Sequence, residues 1–269
     1  MGLPSPSAER TALITGASAG IGVELVRALA RRGHGLTLVA RRRERLEELA
    51  SELSSDHDVR VEFFCADVGV GSERDELAAE LDRRRLQVAV LVNNAGFGSG
   101  KRFISLDRER EVEMVQVNCE AVVDLCGRYA PAMAQQGEGA ILNVASTAAF
   151  QPLPGQATYA ATKAMVLSFT ESLHQELREH GLSVTALCPG PVKTEFTSVA
   201  GMDSIDDSLP GFLWASAAEV AESAVGGLDS GDRVVIPGAI NGVGAVLGRF
   251  TPRAFLLRAA GRFYPVGRE

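Results

Sequence analysis

Short apolar runs alternate along the chain with longer amphipathic ones. Thr11–Thr15, Gly35–Ala40, Val59–Phe64 and Val88–Val92 read as strands in the first half, and Ala140–Val144, Ser183–Leu187 and Arg233–Ile236 in the second. Between them, apolar positions recur at helical spacing. Val23, Val26, Leu29 and Ala30 share one face of Gly22–Arg32, and Leu46, Leu49, Ala50 and Leu53 one face of Arg43–Leu53. Further helices are expected over Glu73–Arg84, over Arg108–Ala134 as one long helix or two in series, over Ala157–His180 and near Ala217–Leu228. Strands that are almost continuously apolar are buried on both faces, and strand–helix alternation builds parallel βαβ units. The pattern therefore predicts an α/β fold: a doubly wound parallel seven-stranded sheet with helices on both faces. No Pro/Gly-rich linker divides residues 10–237, so one domain is expected there. Right-handed crossovers then put ligands at the carboxyl ends of the strands. Residues 1–9 are expected to be a flexible lead. Glu195–Ser216 is helix-poor, and residues 238–269 form a tail rich in Gly, aromatics and Arg.

Composition narrows the function classes. The 269 residues are 46% hydrophobic and 23% charged, ordinary for a globular protein large enough to bury a core without disulfides or metal. A net charge of -7 argues against nucleic-acid binding, which needs a basic face. Cys65, Cys119, Cys126 and Cys188 are scattered without a C-x-x-C pair, so reduced thiols and no metal site are expected. Without a secretory leader or an apolar run of about 18 residues, the expected location is cytoplasmic.

The first strand ends in Thr15-Gly16-Ala17-Ser18-Ala19-Gly20-Ile21-Gly22. Glycines there let the backbone turn tightly and approach a pyrophosphate, which the amides of the next helix would face. The spacing is G-x-x-x-G-x-G, and a tight loop without ligand is the alternative. The second strand ends in Val39-Ala40-Arg41-Arg42, with no Asp or Glu to hold a ribose 2′-hydroxyl. Arg41 can pair with a 2′-phosphate instead, and Ser18 can hydrogen-bond to it. Arginines at a helix start oppose its dipole, so a local anion explains Arg41–Arg45 better than a solvated helix end. NADP(H) is thus expected over NAD(H). Asp67-Val68 and Asn93-Asn94-Ala95-Gly96 follow the third and fourth strands and face the same crevice; Asp67 can accept from an adenine amino group, while Asn93 suits ligand contact and loop support equally.

Strand five ends in Asn143-Val144-Ala145-Ser146, and Tyr159-Ala160-Ala161-Thr162-Lys163 follows. Tyr and Lys at i and i+4 share a helix face, and an ammonium beside the phenol would lower the tyrosine pKa toward acid/base work. Ser146 alone reads as a turn or cap residue. Taken in order, Thr15–Gly22, Asn93–Gly96, Ser146, Tyr159/Lys163 and Pro189-Gly190-Pro191-Val192-Lys193-Thr194 resemble the short-chain dehydrogenase/reductase family in its compact single-domain branch, over roughly Arg10 to Pro237. The resemblance implies a Rossmann-type fold and a catalytic tetrad. Tyr159 would trade the substrate proton, and Ser146 would hold the carbonyl or hydroxyl oxygen. Lys163 would bind the nicotinamide ribose and tune Tyr159, and Asn118 would hold a relay water. It further implies that the cofactor lies along Gly16, Ser18, Gly20, Ile21, Gly22, Arg41, Asp67, Val68, Asn94, Ala95, Gly96, Tyr159, Lys163, Pro189, Gly190, Val192 and Thr194. Many members carry two adjacent serines at strand five; here Ala145 precedes Ser146 and Thr147 follows.

Glu195–Ser216 falls where the family keeps a substrate lid. Its Phe196, Met202, Leu209, Phe212, Leu213 and Trp214, with Phe97 and the Gln151–Pro154 loop, suggest an apolar ketone, aldehyde or secondary alcohol, or else core packing. In the tail, Arg249, Arg253, Arg258 and Arg262 interleave with Phe250, Phe255, Leu256, Leu257 and Phe263 as a basic amphipathic helix. Packing on its own domain is preferred, with contact to an anionic membrane surface as the alternative. The resemblance also implies a homodimer or homotetramer through the helices Arg108–Ala134 and Ala157–His180. A cofactor-binding regulator on the same fold and a membrane-associated lipid or acyl ketone reductase are the other readings of the whole chain.

Overall fold

The computed structural model describes residues 2–201, 211, 214–254 and 256–257. Seven parallel strands form one sheet in the order β3-β2-β1-β4-β5-β6-β7. They are β1 (Arg10–Thr15), β2 (Leu36–Ala40), β3 (Val61–Cys65), β4 (Gln87–Asn93), β5 (Gly139–Val144), β6 (Leu182–Leu187) and β7 (Val234–Val235). Among the described residues the α-helices are α1 (Ile21–Ala30), α2 (Arg43–Asp56), α3 (Gly71–Arg83), α4 (Arg108–Val115), α5 (Ala121–Gln136), α6 (Ala157–Leu177), α7 (Phe196–Val199), α8 (Ala217–Ser230) and α9 (Ala239–Phe250).

Strand periodicity sorts each strand's side chains between two apolar layers. Ala12 and Ile14 of β1, Val90 and Val92 of β4, and Ala140 and Leu142 of β5 join α1, α2 and α8 on one face. Leu13, Leu91 and Ile141 turn the other way, toward α3, α5 and α6. This two-sided burial explains why the strands read as unbroken apolar runs. The chain winds outward from β1 to β3, then restarts at β4 beside β1. The loops after β1 and β4 therefore part at the middle of the sheet and open a crevice at its carboxyl edge.

The long helical stretch after residue 108 is two helices in series, joined without a break. α4 runs into a π-helical turn, Gln116–Glu120, and then into α5. Such turns insert one residue into a helix and often mark functional positions. The Pro/Ser lead also has fixed contacts. Leu3 N donates to Asp229 Oδ1 at 3.0 Å, and Pro4 is buried. α9 packs its Gly248 against Phe150 and Gln151 and its Asn241 against Gly190, while Ile240, Val243 and Leu247 face outward. No helix among the described residues is long and apolar enough to cross a membrane. Phe255, Arg258, Arg262 and Phe263 of the expected amphipathic tail lie outside the described residues, as do Met202, Leu209, Phe212 and Leu213 of the expected lid.

Gly137 and Gly181 end α5 and the last turn after α6 with φ of +72° and +79°. Their surroundings differ: a Cβ on Gly137 meets nothing within 4 Å, whereas one on Gly181 overlaps the Gly137 carbonyl. Gly137→Ala should cost only the left-handed penalty of about 1–2 kcal/mol. Gly181→Ala should cost clearly more, read as the larger drop in urea midpoint; equal drops would mean that the two chain ends do not press on each other.

Candidate active site

The crevice is a single cavity of about 500 Å³ running from the loop after β1 to the start of α6. At its floor the turns after β1 and β4 are tied together. Thr15 Oγ1 accepts from the amides of Asn94 (3.1 Å) and Ala95 (3.0 Å), and Asn94 Nδ2 donates to the carbonyls of Thr15 (2.9 Å) and Gly16 (3.2 Å). Gly16 turns here with φ +66°, and a Cβ on Gly22 would overlap its carbonyl. The glycines thus make a cradle that side chains would fill, at the N-terminus of α1, as a pyrophosphate requires. Gly16, Ser18, Gly20, Ile21, Arg41, Asp67, Val68, Asn94, Ala95, Gly96, Pro189, Gly190, Val192 and Thr194 all line the cavity, with Gly22 behind the cradle. Asn93 lies beneath it: its Nδ2 donates to Asn143 Oδ1 at 2.8 Å, and the residue is 3% exposed, which assigns it to support of the sheet edge.

The basic residues at the adenine end are arranged differently from the simplest reading. Arg41 is 64% exposed and extends to Asp67 (3.3 Å) and Glu113 (3.5 Å). Its neighbour Arg42, not singled out from the sequence, donates from Nε to Ser18 Oγ at 3.3 Å. Arg42 and Arg45 both bind the carboxylate of Glu195. Where a cofactor phosphate was expected, these two arginines hold a carboxylate of the chain itself. The signal available for Arg42 was the Arg41-Arg42 pair that follows β2, either of which satisfies the charge argument; the turn into α2, where Arg42 is the N-cap, decides between them. No cluster of His, Cys, Asp and Glu among the described residues is placed to hold a metal ion.

At the other end, Ser146, Tyr159 and Lys163 converge in the cavity. Tyr159 and Lys163 are 8% and 5% exposed on the first turns of α6. Lys163 Nζ donates to Val144 O at 2.8 Å and lies 5.8 Å from the Tyr159 ring centre. Ser146 Oγ accepts from Ala148 N at 3.1 Å, capping the turn 147–150, and also serves the Tyr159 hydroxyl. Asn118 sits in the π turn. Its Oδ1 accepts from Phe97 N (3.2 Å), and its Nδ2 donates to Phe97 O (3.0 Å) and Thr162 Oγ1 (3.0 Å), linking the loop after β4 to α6. Phe196 of α7 packs on Tyr159 with ring centres 5.4 Å apart, and Trp214 lines the same space.

The expected lowering of the Tyr159 pKa by Lys163 is corrected by burial. Loss of solvent pushes the phenol up to about 12, against a smaller downward pull from Ser146. The same burial takes Lys163 from 10.5 down to about 8. Burial works against the charged form of each. Burial likewise holds Cys126 and Cys188 up at about 12, as protonated thiols.

Residues 10–203 match the family model described as short chain dehydrogenase. The chain is 37% identical over 201 residues to a protein named sulfoacetaldehyde reductase 2 from Chromohalobacter salexigens, a match that covers 73% of this chain and 79% of that one. Its fold is similar to that of a short-chain dehydrogenase from Sphingobium yanoikuyae solved with NADPH (TM-score 0.78, 34% identity, 91% of this chain and 97% of that one). It is also similar to a bulky-bulky ketone specific alcohol dehydrogenase from Comamonas testosteroni (TM-score 0.75, 30% identity, 96% and 95%). With sheet, cradle and tyrosine–lysine pair in place, the chain belongs to the short-chain dehydrogenase/reductase family and is an oxidoreductase.

The Lys163 shift carries a pH signature. Folded chains bind fewer protons than unfolded ones between about pH 8 and 10.5, so this residue's contribution to stability rises with pH through that window and is least favourable below it. The stability of the wild type relative to Lys163→Met should therefore increase from pH 8 to pH 10 by up to about 3 kcal/mol. A difference that stays constant would show that the ammonium is not desolvated.

Proposed function

We propose that this protein reduces an apolar ketone or aldehyde with NADPH, or runs the reverse oxidation of a secondary alcohol, with Tyr159 as acid/base. The convergence of Ser146, Tyr159 and Lys163 in the cavity that begins at the glycine cradle carries this reading. The nicotinamide supplies or accepts the hydride. The residues around it handle the oxygen and its proton. Ser146 Oγ holds the carbonyl oxygen and steadies the charge that develops there. Tyr159 then gives that oxygen its proton, from a hydroxyl that burial keeps protonated throughout the neutral range. Lys163 binds the ribose hydroxyls near the phenol. Asn118, fixed by three hydrogen bonds, holds the loop after β4 at the proton exit.

Phe97, Leu153, Phe196 and Trp214 line the substrate end, which supports an apolar substrate and agrees in kind with the bulky ketones named for the Comamonas enzyme. Ser18, Arg41 and Arg42 would hold the 2′-phosphate, in line with the NADPH found in the Sphingobium structure. Exposed Val112, Val115, Val123 and Met165 on α4, α5 and α6 support a homo-oligomer through these helices. Ile240, Val243 and Leu247 on α9 form an exposed apolar stripe that supports a second reading, contact with an anionic membrane surface. Vesicle flotation with and without residues 238–269 tests it, and equal recovery removes it.

Titration with NADPH and NADH, followed by nicotinamide fluorescence, should show tighter NADPH binding, lost in Arg42→Ala and weakened in Arg41→Ala. Tyr159→Phe should bind NADPH normally yet lose at least about 100-fold in ketone reduction. A Tyr159→Phe enzyme with full turnover would refute the acid/base assignment, and equal affinity for both cofactors would remove the NADP preference.

A further inference from the structure

Glu195 directly follows Thr194 of the cavity wall and precedes α7, whose Phe196 lies on Tyr159. Its carboxylate reaches away from the chemistry to the opposite end of the cavity. Arg42 holds one oxygen at 2.8 Å, and Arg45 holds both, at 2.8 and 3.0 Å. Through its Nε the same Arg42 reaches Ser18 Oγ. A two-oxygen anion held between two guanidiniums, one of them on Ser18, has the chemistry of a bound phosphate ester. The two arginines hold the carboxyl below the usual glutamate range.

We infer that Glu195 is an internal substitute for the cofactor 2′-phosphate, and that the phosphate displaces it and so shifts α7 and Phe196 relative to Tyr159. The inference rests on the NADP reading above. A phosphate on Arg42 and Ser18 would stand next to the Glu195 carboxylate, and like charges at that separation repel. Arg42 has one guanidinium to share, so the two anions compete for it. Because Glu195 and Phe196 are adjacent, leaving the arginines moves the residue that covers the catalytic tyrosine. Cofactor choice would then be sensed at the lid as well as in affinity: NADH, with a bare ribose hydroxyl, leaves Glu195 in place. Glu195 is a specificity residue in this scheme and touches no reacting atom.

The test uses 2′,5′-ADP and 5′-AMP, which differ by the 2′-phosphate alone, on wild type, Glu195→Gln and Glu195→Asp. Affinity is read by calorimetry and the lid by hydrogen exchange of residues 195–200. In the wild type, 2′,5′-ADP should raise exchange in this segment and 5′-AMP should not. Glu195→Gln should show the raised exchange without ligand and bind 2′,5′-ADP roughly five-fold more tightly, with 5′-AMP unchanged. Glu195→Asp, which keeps the charge, should stay near wild type. If the wild type prefers 2′,5′-ADP but Glu195→Gln binds it no better, or exchange of 195–200 ignores the phosphate, the competition is wrong and the NADP reading stands. If the wild type binds both nucleotides equally, the NADP reading fails and the inference falls with it.

Discussion

The crevice depends on one knot of hydrogen bonds between the ends of β1 and β4. Thr15 and Asn94 satisfy each other's backbone groups where two parallel strands diverge, and a diverging pair would otherwise leave those groups bare in a buried place. Once these ends are fixed, Gly16 and Gly22 can approach without side chains, α1 can start beneath the turn, and Gly96 can pass beside Asn118 and Lys163. The glycine cradle and the mouth of the cavity are hung from this junction. It is local chemistry, two residues long on each side, that gives an otherwise generic sheet its opening.

The tyrosine–lysine end of the cavity is governed by burial. A buried tyrosine and a buried lysine each resist their charged form, so the site rests with its proton on the phenol and a weakened hold on the ammonium. Asn118 contributes by geometry: its amide uses both donor and acceptor, and so ties the loop at Phe97 to the start of α6.

Much of this was legible in the sequence. All seven strands were placed to within about two residues because two-sided burial writes itself as unbroken apolar runs, while the glycine turn and the tyrosine helix took their meaning from the family that their motifs resemble together. What spacing does not carry was missed. Arg41 and Arg42 are equivalent in a charge count, and only the turn between β2 and α2 sends Arg42 to Ser18 and Arg41 to Asp67. The bond between Glu195 and α2 joins segments 150 residues apart, beyond any local pattern. The tyrosine shift went the other way because its proximity to a cation was visible in sequence and its depth was not.

The π turn at Gln116–Glu120 makes residue count at this point a structural variable. Each residue of a regular helix advances the chain by about 100°. A version of the chain shortened by one residue there would join α4 and α5 into a single uninterrupted helix, and would rotate one of them by that angle against the other. Met114, buried beside Tyr159, and Leu125, buried beneath the sheet, could then no longer both face their partners. Length polymorphism, tolerated elsewhere in loops, is closed to this helix, and Asn118 is held at the site by a surplus residue as much as by its own side chain.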